Sequence, residues 1–140
     1  MNVVTTRNTL LGGFLALLIL IPSSGQSSTE RTGDMLIGRW LFPTRGSSVD
    51  VFKNGGMYFA RVAEVDQAGV QNYGLEKNKI LISNLTFDGK VWTGGELIHP
   101  KTGTQLDVEL NMADPQRITV TIYKGIKFLH KKFDMTRQAN

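Results

Sequence analysis

Histidines, serines and paired carboxylates most often carry chemistry in a small domain, and in this sequence they stand apart from one another. His99 and His130 are the only histidines. Neither has a second histidine, a cysteine or clustered carboxylates at the spacing a metal ion requires. Cysteine is absent altogether, which removes disulfides, thiolate ligands, a thiol nucleophile and a lipid-modified N-terminal cysteine. Ser47, Ser48 and Ser83 lie outside any G-x-S-x-G turn, and no glycine loop has phosphate-cradling spacing. Glu96 and Glu109 can pair across strands as an acid and a base would, but the sequence sets no distance between them. The expectation is a protein that is not an enzyme and needs no metal or other cofactor.

Aromatic side chains offer a different chemistry, that of holding a ligand. Trp92 stands just before Gly94 and Gly95, where paired glycines in a strand mark a bend or a close backbone approach. With Tyr58 and Val62 it forms a candidate cavity lining. Phe59 and Leu97 turn inward instead if a bulge at the two glycines changes the register. The competing reading is that these side chains only fill a core. Lysines and arginines number 16 against 12 acids, a net charge of +4. Lys124, Lys127, Lys131 and Lys132 cluster, but without the interleaved aromatics of a nucleic-acid module, so no nucleic acid is expected. They read as a solvated strand face, with mild attraction to anionic lipid or polysaccharide as the weaker alternative.

These residues need a scaffold, and from Leu36 onward short apolar or alternating runs are separated by turn signals at nearly regular intervals. Strands are expected at Leu36 to Phe42, Ser48 to Lys53, Met57 to Val65 and Ile80 to Phe87. Four more follow, at Lys90 to Ile98, Thr104 to Met112, Arg117 to Tyr123 and Lys127 to Thr136. Asn54-Gly55-Gly56 and Asp88-Gly89 read as tight hairpins, the second as a type I′ turn. Leu106, Val108, Leu110 and Met112 alternate with Asp107, Glu109 and Asn111, which gives that strand one buried and one wet face. With no helix to cover the apolar side, the sheet must close on itself or fold into a sandwich. Asp66 to Lys79, the longest stretch without strand pattern, is expected at one mouth as a lid or contact loop.

Ahead of this domain, Arg7 precedes an apolar run from Leu10 to Ile21 interrupted by Gly12 and Gly13, and then Pro22, Ser23, Ser24 and Gly25. That is the pattern of a cleaved export signal; the run is shorter than the about 20 residues of a membrane span. The expected organisation is a signal peptide over 1–25, a flexible leader over 26–34 and one domain over 35–140. The mature chain is expected to be secreted or periplasmic, with no transmembrane domain after cleavage.

Gly38-Arg39-Trp40 is similar to the G-x-W that opens the first strand of lipocalins and their calycin relatives. Val49 to Phe52, Asn54 to Phe59, Trp92-Thr-Gly-Gly-Glu-Leu-Ile-His-Pro-Lys-Thr-Gly103 and Thr136-Arg137 extend the likeness. Together they resemble an uncharacterised family of small exported bacterial lipocalin-like proteins, a domain of unknown function with G-x-W and W-x-G-G-x-I-x-x-P-x-x-G motifs. Ala60 and Leu97 stand where that pattern has Gly and Ile, and the loop over 66–79 is shorter. The resemblance implies an all-β, eight-stranded antiparallel barrel in which Gly38, Trp40 and Arg137 close one end, the arginine covering the tryptophan. Two roles follow from such a barrel: binding a small apolar or amphipathic ligand, or acting from a filled barrel through its outer surface on an envelope partner. The sequence names neither the ligand nor a protein partner.

Overall fold

The structure, a computed structural model, describes residues 27–139, with the backbone alone over 127–129. The expected export signal over 1–25 and Gln26 lie outside the described residues. Eight antiparallel strands follow one another in order and close into a barrel: β1 (Gly38–Leu41), β2 (Ser48–Asn54), β3 (Met57–Glu64), β4 (Ile80–Phe87), β5 (Trp92–Ile98), β6 (Gln105–Asp114), β7 (Arg117–Lys124) and β8 (Ile126–Arg137). Closure joins β1 to β8 through Trp40 opposite Arg137 and Leu41 opposite Thr136. Each strand sits where alternation and turn chemistry place it. Its inward residues, among them Val49, Val51, Ala60, Val62, Val108, Leu110, Ile118 and Val120, form one continuous core. Gly55 and Gly56 both take positive φ between paired Asn54 and Met57, as the tight hairpin requires.

Three segments differ from the sequence expectation. The Asp88-Gly89 reversal is not a two-residue turn. The Asp88 carboxylate accepts from the backbone N–H groups of Lys90 and Val91 at 2.8 and 2.9 Å, so β5 starts only at Trp92. An aspartate that satisfies two backbone donors itself competes with the ladder for them. The expected leader is helical from Ser28: α1 (Ser28–Gly33) starts at a Ser27 cap and runs into a 3-10 turn over Asp34–Leu36, with Leu36 fully buried. Within the long loop, Asp66 caps α2 (Gln67–Tyr73), which ends at Gly74 in the left-handed conformation.

The barrel has two unlike ends. The turns after β2, β4 and β6 gather at one end with α1 and both chain ends of the domain. The loops after β1, β3, β5 and β7 gather at the other, where α2 lies.

Candidate functional site

At the α1 end the interior is shut. Trp40 and Trp92 are both buried, and their indole N–H groups donate to the carbonyls of Leu36 at 2.9 Å and Gly33 at 3.0 Å. Carbonyls at the end of a helical segment have no partner within it, so α1 and its 3-10 turn supply acceptors for the two donors a tryptophan-filled end would otherwise bury unpaired. Tyr58 donates to Asp34 at 2.6 Å, and Lys53 donates to the same carboxylate oxygen at 2.9 Å. Burial, and then the hydrogen bond to Asp34, hold the Tyr58 phenol well above its usual pKa. The Arg137 guanidinium carbon lies 4.3 Å from the Trp40 ring centroid. Gly38 makes room for it, since a Cβ there would come within 2.7 Å of Arg137 Nη1. A polar groove of about 380 Å³ lies beside Gly38, Arg39 and Arg137. It offers an anion little, because Arg137 already donates to the carbonyls of Met35, Ile37 and Pro115, and Arg39 is paired with Asp50 at 2.7 Å.

The other end is open. A cleft of about 240 Å³ is lined chiefly by apolar side chains, among them Phe42, Leu75, Leu81, Leu97, Ile122 and Phe133, with Tyr73 of α2 at its edge. Phe42 stacks on both Tyr73 and Phe133 at about 6 Å between centroids, so the wall is continuous from helix to strand. Charge enters from one strand. On β8, Met135 is opposite Ile118, Phe133 opposite Val120 and Lys131 opposite Ile122, and alternation therefore puts Lys131 on the same inner face as the core. An inward lysine at the lip of an apolar cleft can pair with an anionic group whose apolar remainder lies below it. His99 also lines the cleft, but its Nδ1 accepts from the backbone N–H of Lys101 at 3.2 Å and serves the turn. The helix that roofs this side is anchored by Asp66, which accepts from Ser47 Oγ and the Gly69 N–H, both at 2.8 Å. Those bonds, Ser47 first, hold the Asp66 carboxyl below its usual pKa.

The sequence-predicted lining residues are divided between these ends. Leu97 lines the open cleft. Val62 is buried and borders a smaller pocket beside it. Tyr58 and Trp92 belong to the shut end, hydrogen-bonded to the α1 segment, so they do not line the cleft. Phe59 is on the outer face, stacked on Phe52 at 5.5 Å. Trp92 and Leu97 are an odd number of residues apart yet both point inward, because β5 bulges between Trp92 and Gly95, with Gly94 at φ 78°. The neighbouring strand bends at the same level: Asn84 takes φ 63°, and Ile82 and Leu85, three apart, are both buried. The bulge turns Leu97 inward without turning Trp92 out. Sequence reasoning missed Phe42, Tyr73, Leu75 and Lys131. Lys131 was noticed only within the lysine cluster read as a solvated strand face; the structure instead puts it on the inner face, at the lip of the cleft.

Glu96 stands opposite Asp107 on the outer face, with Glu109 two residues further along β6, away from the cleft. Among the described residues no three His, Asp or Glu side chains gather as a metal site, and no helix is long and apolar enough to cross a membrane.

Residues 38–137 match the sequence profile of a family described as an uncharacterised protein conserved in bacteria (DUF2147). Comparison with curated proteins finds no match. Among solved structures the chain is similar to HP1028 from Helicobacter pylori, described as belonging to the lipocalin family. The two share 20% identity and superpose with a TM-score of 0.58 over 75% of this chain and 84% of that one. At that identity the likeness is one of fold, and the fold is lipocalin-like.

Proposed function

Since this chain belongs to the DUF2147 family of uncharacterised bacterial proteins and has a lipocalin-like barrel, we propose that it binds a small amphipath with an anionic head, outside the cytoplasm and without catalysing a reaction. The observation that carries this reading is the open-end cleft: apolar in depth, about 240 Å³, with Lys131 on the inner face at its lip. The apolar tail would lie against Leu97, Leu81 and Phe133, and the head would meet the lysine. Pockets of this kind bind through apolar burial, while a few placed polar groups fix orientation. The compartment follows from the export pattern of the first 25 residues, and the absence of a catalytic role from the scatter of the reactive side chains.

The test is a thermal-shift panel of medium-chain carboxylates, the matching alcohols and shorter polar acids. Binding to the native state alone raises the melting temperature with ligand concentration. Carboxylates should do so more than alcohols, and short acids not at all. Lys131→Glu should weaken carboxylates about fivefold while leaving alcohols little changed, and Leu97→Trp, by filling the cleft, should weaken both. A panel that leaves the melting temperature flat for wild type, together with no small molecule in extracts of the native protein, would turn the reading to a filled barrel acting through its outer surface.

A further inference from the structure

The open end is also where the molecule's exposed apolar side chains and unpaired cations meet. Among the described residues, Val70 and Tyr73 on α2, Ile80 and Ile98 at strand ends and Ile126 at the β7–β8 tip are exposed large hydrophobics of this end, Ile126 being 62% exposed. The opposite end has only Met35, Ile37 and Met57 in that class. Charge follows the same axis. Lys124, Lys131 and Lys132 form no ion pair among the described residues, and Lys101 donates only to the Gln71 carbonyl. Most acids of this end are already engaged, Glu64 with Lys77, Glu76 with Lys79, Asp66 with the α2 cap and Asp107 with the Gly125 N–H, while Glu96, level with Asp107, forms no ion pair among the described residues. At the shut end Asp34 pairs with Lys53; Lys90 and Arg117 form no ion pair among the described residues either, but Lys90 acts on Asp88 and Arg117 stands opposite Asp114.

We propose that the open rim docks on an anionic lipid bilayer, with Ile126 and Val70 entering the headgroup region and Lys124 and Lys132 against the phosphates. Apolar tips flanked by lysines on one face are the chemistry of peripheral attachment to an anionic membrane. A soluble polyanion would use the lysines and leave the isoleucine and valine idle; a neutral protein patch would use the apolar tips and leave the lysines uncompensated. Docking in this orientation sets the mouth of the cleft on the bilayer, so it deepens the amphipath reading by giving its ligand a lipid source. Of its rim residues only Lys132 also lines the cleft; Val70, Lys124 and Ile126 do not, so variants of those three let the two readings fail separately.

The experiment is flotation of the mature protein with vesicles of phosphatidylcholine alone and of phosphatidylcholine mixed with phosphatidylglycerol, at low and high salt. Flotation should require phosphatidylglycerol and fall with salt. Lys124→Glu should reduce it several-fold, and Ile126→Asp should reduce it several-fold with an unchanged melting temperature. Lys90→Glu with Arg117→Glu at the shut end should leave it as in wild type, and the rim variants should keep the wild-type thermal shift with a soluble carboxylate. The proposal is overturned by absence of flotation at low salt, by equal loss in the shut-end variant, or by rim variants that float like wild type. Binding to dextran sulfate that matches the vesicle affinity and ignores Ile126→Asp would likewise overturn it in favour of a polyanion.

Discussion

The Arg137 guanidinium donates to the carbonyls of Met35, Ile37 and Pro115 while its flat face covers Trp40, so one side chain ties the last strand to the first and to the turn after β6. Burial lowers its pKa, yet an arginine remains charged at any ordinary pH. Arg137→Ala should destabilise the protein by about 2 to 3 kcal/mol in denaturant unfolding, combining a cation–π contact with charge-assisted hydrogen bonds. Arg137→Lys should recover less than half, because an ammonium cannot reach three divergent carbonyls. Tyr58 supplies a pH test at the same end. Its folded pKa is raised above the unfolded value of about 10, so its contribution is complete below pH about 10 and is lost as pH rises beyond that. Tyr58→Phe should cost about 1 kcal/mol near neutrality and flatten the alkaline limb of the stability profile. An alkaline limb as steep as in wild type would remove Tyr58 from the account.

At the scale of elements, the paired bends in β4 and β5 decide which residues face the interior. Leu85 fits beneath Gly95 because glycine has no Cβ: one built there would lie 2.7 Å from the Ser83 carbonyl oxygen and 2.8 Å from Leu85 Cδ2. Gly95→Ala should therefore destabilise by about 1 to 3 kcal/mol as an overpacked core does, measured by chemical denaturation, whereas alanine at Gly103, which has nothing within 4 Å of a built Cβ, should show only the smaller penalty of its positive φ. The two short helices illustrate a different balance. Neither is long enough to be stable alone. Each is held by a cap and by contacts to the barrel: α1 through Gly33 and Asp34, α2 through Asp66 on Ser47 and Tyr73 on Phe42.

For the molecule as a whole, α1 makes the segment just after the expected export signal part of the folded domain. The Ser27 side chain accepts from the Glu30 N–H at 3.0 Å and starts that helix. Cleavage after Gly25 leaves Ser27 in place. The exported protein should therefore begin at Gln26 or Ser27 by intact mass, and a chain truncated to begin at Gly38 should melt lower and emit at longer wavelength, because Trp40 and Trp92 lose their carbonyl partners and their cover. An unchanged emission maximum in the truncated chain would mean that α1 does not shield the tryptophans.

The sequence by itself determined the strand count and order, because alternation and turn residues are local properties: a two-residue period and a Gly-Gly turn depend on neighbours a few positions away. It also sufficed for the closing trio of Gly38, Trp40 and Arg137, through resemblance to barrels with the same first strand. Which end stays open was not legible. Tyr58 and Trp92 read as lining residues and Leu97 as inward only in their stead, if a bulge at Gly94 and Gly95 changed the register; the tertiary structure sends α1 to cover the first two and leaves the third beside a cleft. The bulge at Gly94 sets the register there, and α1 is polar in sequence, its docking resting on backbone carbonyls that carry no side-chain signature. Lys131 was visible only as one of a run of lysines. Its inward direction comes from its place opposite Ile122 in the β7–β8 hairpin, whose pairing is irregular at Tyr123 and Lys124, so the register is not read off by counting back from the turn.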